Sequence, residues 1–396
     1  MTMKSHKQTS EIYLDANATT PVLPEAAEAV KNAMNNLYGN PSSSHITGLR
    51  AKHLLETTRL LAQQAIQAAS GELIFTSGAT EGIHTAIFSA LTHLKNQSNG
   101  KAPSLLYGST EHKAVPETLH HWNKALGLNA EIIAIPVDEK GLIDLEFLAK
   151  HIDQAGLVCT MAVNNETGAI QDLEAIKNTL RENDGDTLWL VDSVQALGKV
   201  PLNLEELTVD YSCFSGHKLY CPKGIGMLYI REDAPFTPLI VGGGQEHGFR
   251  SGTENIPGIA ALGEVLKLIT EKNSRFRNDE ELKSFQEKLV STLKAGFPDI
   301  IFNTPFDNAV ATTINFSVKG FPSKEIMDLF DAAQIRVSSG SACSSKAKSS
   351  FVLDAMGIPK WQSESAIRLS FGPATTAQEI DEACSRIKLA SKALEK

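Results

Sequence analysis

The sequence is poor in the features that mark several protein classes. Cysteine is scarce: the chain has only five, without a CxxC pair, at Cys159, Cys213, Cys221, Cys343 and Cys384. This pattern argues against a disulfide framework or a structural zinc site and favours reduced thiols. Basic residues number 37 against 46 acidic ones, a formal net charge of −9, which argues against a general nucleic-acid binder.

Long apolar runs are also missing. No run approaches the roughly 20 residues that cross a bilayer. The N-terminal MTMKSHKQTSE lacks the apolar centre of a secretory signal. We therefore expect a cytoplasmic protein that has neither a membrane nor a nucleic acid as partner and holds no metal.

The composition is that of an ordinary folded protein. The chain has 396 residues, 42% of them hydrophobic and 21% charged, and is long enough for a large domain and a smaller one. Short apolar runs alternate with helical spacing, as at 24–37 and 49–69. The runs that we interpret as buried strands are LIFT (73–76), SLLY (104–107), EIIAIP (131–136), GLVCTMA (156–162), LWLV (188–191) and GMLYI (226–230). This rhythm predicts an α/β domain with a largely parallel sheet covered by helices, and ligands beyond the carboxyl ends of its strands.

The pattern changes in the last third of the chain. The Gly-rich segment VGGGQEHG (241–248) precedes a charged helical stretch at about 257–296. After it, TTINFSV, IRVS and AIRLSF have the pattern of strands, with helices between them. We place a large domain at 16–265, and a smaller α+β domain at 1–15 together with 266–396.

Polar signals follow the predicted strands. Asp192 comes directly after LWLV, and Lys218 stands in SGHK, 26 residues later. Pyridoxal 5′-phosphate (PLP) needs a lysine amine for its Schiff base and an acid that keeps its pyridine nitrogen protonated. TSGAT (76–80), before a helix that begins near Thr80, offers hydroxyls, backbone N–H groups and a helix N-terminus to a phosphate. A nucleotide site is disfavoured, because TSGAT lacks the GK[ST] ending of a P-loop and GGGQEHG does not lead from a strand into a helix.

Ten short sequence strings, taken in their order along the chain, form a specific pattern. They are YLDANATTP (13–21), YGNPSS (38–43), FTSGATEG (75–82), TEHKAV (110–115), NNETGAIQ (164–171), VDSVQALGK (191–199), SGHKLYCPKGIGMLY (215–229), GGGQEHGFRSGTEN (242–255), SSGSAC (338–343) and IRLSFG (367–372). With them the chain resembles, over nearly its whole length, the PLP-dependent cysteine desulfurases of the class V aminotransferase group. The resemblance implies a fold-type I enzyme, with a mainly parallel seven-stranded sheet sandwiched by helices, plus a smaller α+β domain. It also implies a homodimer with a shared active site.

The resemblance implies a role for each cofactor residue. Lys218 would bind PLP as a Schiff base and move protons, Asp192 would hold the pyridine nitrogen, and His112 would stack on the ring and assist proton transfer. Gln195 and Asn165 would hydrogen-bond the 3′-oxygen of PLP or the substrate side of the ring. The residues implied at the phosphate are Ala79, Thr80, Ser215, His217 and, reaching the phosphate of the partner subunit, Thr253.

Substrate residues are implied as well. Arg368 would clamp the carboxylate of L-cysteine, with help from Asn40 and Asn165. Cys343 lies in SSGSACSSKAKSS (338–350), a run of small polar residues with two lysines that favour the nucleophilic thiolate. The implied reaction leaves L-alanine and a persulfide on Cys343, whose sulfur passes to an acceptor protein. The sulfur could serve iron–sulfur clusters, tRNA thiolation, a thiolated cofactor or DNA sulfur modification.

Three alternatives share part of this pattern. A selenocysteine lyase has most of the same motifs but rejects cysteine. A PLP-dependent C–S lyase or aminotransferase would leave Cys343 without a role, and would release pyruvate with sulfide or require a keto acid. A non-catalytic binding subunit on the same fold would not respond to PLP. The chain departs from the family pattern at Ile83 and His84, and at Cys221, where the family commonly has Gly.

Overall fold

The structure, a computed structural model, describes residues 11–97, 102–182, 186–271, 276–340 and 349–392. Its strands are β1 (Ile12–Tyr13), β2 (Glu72–Thr76), β3 (Ser104–Gly108), β4 (Ile132–Ile135), β5 (Ala155–Met161), β6 (Leu188–Asp192), β7 (Tyr211–Ser215), β8 (Gly226–Ile230), β9 (Ile300–Phe302), β10 (Thr313–Val318), β11 (Ile335–Arg336) and β12 (Ala366–Ser370). Its α-helices are α1 (Pro24–Asn36), α2 (Ile46–Ala65), α3 (Ala79–Gln97), α4 (Ala114–Leu126), α5 (Leu145–His151), α6 (Leu173–Arg181), α7 (Leu204–Leu207), α8 (Ile256–Thr270), α9 (Asp279–Gly296), α10 (Ser323–Ala332), α11 (Phe351–Ala355), α12 (Lys360–Glu364) and α13 (Ala377–Ser391). None of the helices in these ranges is both long enough and apolar enough to cross a membrane.

Seven strands form a large sheet in the order β2-β8-β7-β6-β5-β3-β4. Strand β8 is antiparallel to both of its neighbours, and the other pairs are parallel. The predicted mainly parallel, seven-stranded sheet is therefore confirmed. Because β2, β3, β5, β6 and β7 run in the same direction, their carboxyl ends lie at one edge of the sheet. The segments that leave this edge carry TSGAT, TEHK, NNETG, Asp192 and Lys218.

The core of this sheet explains its sequence pattern. Every residue of β5, β6, β7 and β8 is buried, so these strands are continuously apolar or small rather than alternating. Helix α3 covers the sheet with Ile83 and Ile87, which share a cluster with Leu190 and Leu228. All six runs that the sequence predicts as strands form strands. The sequence does not reveal β7, because YSCFS (211–215) mixes small polar residues with aromatic ones.

The chain divides into two units. The larger unit holds Thr19–Asn165 and Ala169–Phe276; the smaller one holds the residues up to Ala18, Glu166–Gly168 and those from Arg277 onward. This division differs from the expected boundary near residue 266, because α8 continues as one helix to Thr270 and stays with the larger unit.

The smaller unit combines two short sheets with helices. Strands β12, β10 and β9 form an antiparallel sheet in that order, and β1 pairs in parallel with β11. Its core contains Phe297, Phe316 and Phe330, and the rings of Phe297 and Phe330 stack with their centroids 6.3 Å apart.

The charged stretch at 257–296 is two helices, not one. Helix α8 begins after Asn255, whose side chain accepts the Gly258 N–H. Helix α9 has its own capping box, in which the side chains of Asn278 and Glu281 each accept the other's backbone N–H. The sequence NDEE (278–281) carries this start signal within the predicted helical stretch.

Candidate active site

Asp192 is the buried last residue of β6. Its Oδ1 accepts the backbone N–H of Val194 at 3.0 Å, and the Cys213 thiol donates a further hydrogen bond. Burial raises the pKa of Asp192, while the Val194 N–H, His112 in its protonated form and the charge of Lys218 oppose that rise. A buried carboxylate with donors and cations around it is the partner that a protonated pyridine nitrogen requires.

His112 lies between β3 and α4. Its Nδ1 accepts the backbone N–H of Ala114 at 3.2 Å, which places the proton of the neutral ring on Nε2. Burial lowers the pKa of His112; the charge of Asp192 opposes this effect, and Lys218 and Lys113 add to it. The ring is therefore neutral at pH 7, with Nε2–H as its donor.

Lys218 ends a short 3₁₀ helix, Gly216–Lys218, that follows β7 directly. The carbonyl of the preceding His217 accepts both the backbone N–H and the hydroxyl of Thr20, at 2.9 and 3.0 Å. The charge of Lys218 acts on both Asp192 and His112. Three predicted residues from the ends of three strands thus form one electrostatically coupled group.

His217 is held beside the same segment. Its Nδ1 lies 3.1 Å from the Thr19 hydroxyl. Burial lowers the pKa of His217 to about 4, and the charges of Lys218 and Lys223 add to the effect. The imidazole is therefore uncharged at pH 7, so one ring nitrogen is an N–H donor.

The TSGAT loop leads from β2 into α3. The backbone approaches closely here, since a Cβ on Gly226 would lie 2.6 Å from the Gly78 Cα. A Cβ on Gly78 would lie 3.7 Å from the Ser215 hydroxyl, so this hydroxyl stands beside the loop. Ala79 is half-buried and Thr80 exposed at the N-terminus of a 19-residue helix. Hydroxyls, free helical N–H groups and the helix dipole together suit a phosphate. Asp192 ends β6 and Lys218 follows β7 in the same sheet. The residues present therefore fit PLP.

Gln195 and Asn165 also follow strand ends. Gln195 is buried, and its Oε1 accepts the Lys199 ammonium group. Asn165 is half-buried. The preceding Asn164 is buried and donates to the Thr110 carbonyl at 3.3 Å. Of the two asparagines in NNETG, Asn165 is therefore the accessible one.

Thr253 lies in the exposed loop before α8. The adjacent Gly252 N–H donates to the Gln245 Oε1 at 2.8 Å. In its own chain, Thr253 lines a cavity of about 160 Å³ together with Thr76 and Ser77 of the phosphate loop.

A buried ion pair holds the Gly-rich segment to β2. The Arg59 Nη1 lies 2.8 Å from the Glu246 Oε2, and this carboxylate also accepts the Phe75 N–H at 3.1 Å. Burial alone would lower the pKa of Arg59, but hydrogen bonds and charge from Glu246 and Glu56 outweigh it and raise the pKa. The segment that leads to Thr253 is thus anchored in the core of the larger unit.

The two predicted substrate residues fall in different units. Arg368 lies in β12 of the smaller unit, is 1% exposed, and donates from Nη2 to the Asp15 Oδ1 at 2.9 Å. Asp15 stands in the YLDANATTP string, and no local pattern in that string indicates this pairing. Asn40 lies in the larger unit, where its exposed side chain accepts the Ser42 N–H at 2.9 Å.

Cys343 and its two neighbouring lysines lie outside the described residues, but the residues on both flanks are described. Before the segment, the Ser338 carbonyl accepts the Arg368 N–H at 2.7 Å. After it, the Ser350 hydroxyl donates to the Glu166 Oε2 at 2.5 Å. A Cβ on Gly340 would lie 3.3 Å from the same oxygen, so Glu166 of NNETG lies at both flanks.

The four described cysteines are free, buried thiols. Cys221 is 1% exposed with its thiol 3.6 Å from the Leu219 carbonyl, and burial raises the pKa of Cys221 to about 12. It therefore packs as a small apolar residue.

Ile83 packs in the core, and His84 accepts the Trp122 indole N–H at 3.2 Å. Both departures thus serve the packing of α3.

Glu111 was missed by sequence reasoning, which gave the TEHK string a role only through His112. The Glu111 side chain is buried, and its Oε1 accepts the Met161 N–H at 2.6 Å. A carboxyl group one residue from a predicted catalytic His, after a strand, was the signal available.

Comparisons with known proteins agree with this geometry. The sequence pattern of the class-V aminotransferases matches residues 12–383. The chain is 36% identical over 374 residues to the cysteine desulfurase IscS of Dictyoglomus turgidum, covering 94% of this chain and 92% of that protein. A solved NifS-like protein superposes with a TM-score of 0.87 at 32% identity, covering 98% of this chain and all of the other. A structure of SspA in complex with cysteine gives a TM-score of 0.78 at 28% identity, covering 93% and 100% of the two chains.

Proposed function

Since the chain belongs to the class-V aminotransferase family, and within it to the PLP-dependent cysteine desulfurases, we propose that its site residues divide the desulfuration of L-cysteine into two tasks. The group at the carboxyl edge of the large sheet handles the protons of the amino acid. Cys343 takes the sulfur. The observation that carries this proposal is the placement of buried Asp192 and half-buried His112 and Lys218 at or just after the ends of β6, β3 and β7, where they interact electrostatically.

This chain would hold both ends of the PLP molecule, the pyridine ring and the phosphate. Asp192 would hold the pyridine nitrogen, Ser215, His217 and the start of α3 would hold the phosphate, and Lys218 would bind the aldehyde carbon. When bound, the cofactor supplies an electron sink that stabilises negative charge on the Cα of an amino acid.

The residues around it act on protons and on the substrate. The Lys218 amine removes the Cα proton of L-cysteine and later donates a proton to a different atom on the way to the product. The neutral His112 offers its Nε2–H as a donor beside that amine. Arg368 binds the substrate carboxylate with its guanidinium fork, which Asp15 orients from the other side. Asn40 and Asn165 add hydrogen bonds to the substrate.

Sulfur transfer is the role that we assign to Cys343. Its thiolate attacks the sulfur of the substrate, an S–S bond forms, and the C–S bond breaks. The electron pair of that bond stays with the three-carbon product, which takes up a proton and leaves as L-alanine. Cys343 retains the sulfur as a persulfide and passes it to a thiol of an acceptor protein.

We extend the proposal to the assembly and its surroundings. A homodimer would let Thr253, exposed on its loop, complete the phosphate site of the partner subunit. The four buried thiols support a reducing compartment, the cytoplasm.

The test is a product assay on the purified protein with L-cysteine. We expect L-alanine and sulfide in equal amounts when a reductant is present. Mass spectrometry without reductant should find one added sulfur atom on Cys343. Lys218→Ala should lose the visible absorbance of bound PLP together with all turnover. Cys343→Ser should keep that absorbance but lose the added sulfur and the alanine.

Cys221→Ser is the matched control, because it makes the same exchange at a thiol that is buried and has no assigned role in the reaction. It should keep the parental alanine yield. Pyruvate in place of alanine, a need for a keto acid, or turnover of selenocysteine alone would reject the proposal in favour of one of the alternative enzymes.

A further inference from the structure

Glu111 is a buried carboxyl group that the proposed reaction does not use. It is 2% exposed, and its backbone N–H donates to the Gly108 carbonyl at 2.9 Å at the end of β3. Its Oε1 accepts the Met161 N–H at 2.6 Å at the end of β5. Its Oε2 is buried and has no hydrogen-bond partner within the described residues.

Among the described residues, none of the charged or titratable groups that interact with Glu111 is a cation. Asp192 on β6, Cys159 on β5 and Cys213 on β7 interact with it electrostatically. In the described part of the chain, Glu111 forms no ion pair with a lysine or arginine, whereas the equally buried Glu246 pairs with Arg59. Burial, followed by the charge of Asp192, raises the pKa of Glu111 well above its usual range, against the smaller effect of the Met161 N–H.

Asp192 has the better environment for a negative charge. It accepts a backbone N–H and a thiol, and the positive charge of Lys218 favours its ionised form. Two buried carboxyl groups that repel each other cannot both ionise at low cost. The proton of the pair therefore belongs on Glu111.

We propose that Glu111 is a positioning residue that keeps its proton: as a neutral acid it ties the ends of β3 and β5 together and leaves Asp192 as the one negative charge of the pair. It acts through its neighbours. Its bond to Met161 fixes the strand that pairs with β6 at Asp192, and it fixes the backbone from which His112 projects. This inference rests on the proposed function only in taking Asp192 as the partner of the PLP nitrogen.

Infrared spectroscopy tests the protonation directly. The carbonyl stretch of a protonated carboxylic acid is separate from the bands of carboxylates. The difference spectrum between the parent holoenzyme and Glu111→Gln at pH 7 should contain one such band, lost from the parent. Glu246→Gln is the matched control, because that carboxylate is equally buried but paired with Arg59, and its difference spectrum should contain carboxylate bands alone. No lost acid band in Glu111→Gln would show that Glu111 is ionised, and would overturn the proposal.

The positioning role is tested by the bound cofactor rather than by turnover. Glu111→Ala removes the acceptor of the Met161 N–H, so PLP should dissociate about 10-fold more readily, from the loss of a buried hydrogen bond. The pH at which its absorbance changes should also shift. Glu111→Gln restores a neutral acceptor and should return both readouts to parental values. Equal shifts in Gln and Ala would mean that the negative charge matters, contrary to the proposal. Cysteine turnover, measured in parallel, reports the proposed function separately, since its absence would leave the infrared result intact.

Discussion

The Arg59–Glu246 ion pair offers a measurable prediction about stability. Its side chains are 7% and 2% exposed, and the guanidinium also lies over the Phe75 ring, 5.2 Å from its centroid. Arg59→Met keeps much of the apolar stem but leaves the Glu246 carboxylate buried without its cation. Removing one partner of a buried pair costs about 3–5 kcal/mol. For a domain of this size, that loss lowers the thermal midpoint by roughly 6–20 °C.

The assay is thermal unfolding followed by circular dichroism, with a double-mutant cycle. Arg59→Met with Glu246→Leu should be less destabilised than Arg59→Met alone, because no uncompensated charge remains. Lys31→Met is the control, since Lys31 and Glu28 are each 69% exposed, and it should change stability by less than about 0.5 kcal/mol. The reasoning is refuted if Arg59→Met behaves like this control, or if the double variant loses the sum of the two single losses.

Three further predictions follow from the site. Arg368→Lys loses the two-pronged guanidinium that binds a carboxylate. The KM for L-cysteine should therefore rise about 10–100-fold, the effect of one charged hydrogen bond. Steady-state kinetics, with kcat as the reference, measures this change. Burial lowers the pKa of His217 from 6.5 to about 4 in the folded state. The unfolded state therefore binds more protons between these two values, and stability is lost as the pH falls through that window. His217→Asn should therefore lose less thermal stability than the parent between about pH 7 and pH 5, and an equal loss would contradict the assignment. Cys221→Ala should cost about 1 kcal/mol of stability through lost packing and leave the PLP absorbance unchanged, whereas bleached absorbance would give Cys221 a role at the cofactor.

Local signals in the sequence predicted much of the fold and of the larger unit's site. Apolar runs marked the strands because a sheet covered on both faces needs continuous apolar residues. Asp192 and the TSGAT loop followed because polar residues just beyond such runs fall at one edge. The pairing of Lys218 with Asp192 at PLP was also indicated by the residue pattern, whereas the roles of Cys343 and the rest came from the resemblance; all of these roles stay predictions.

What the sequence did not predict depends on contacts between distant residues. The Asp15–Arg368 pair joins residues 353 positions apart, so no local pattern indicates it. The reversal of β8 within the sheet is set by which strands become neighbours, not by GMLYI itself. The sequence did not single out Glu111, because Met161, which donates to it, and Asp192, whose charge acts on it, lie far along the chain.

The pairing of β1 with β11 has a consequence for how the chain is made. Ile12 pairs with Ile335, so the N-terminal strand has no partner until more than 300 further residues have been translated. At a translation rate of roughly 5–20 residues per second, its apolar side chains stay unpaired for on the order of tens of seconds. The larger unit, which ends at Phe276, is translated in full within that interval, while Ile12 and Leu14 are open to chaperones or to the wrong partner.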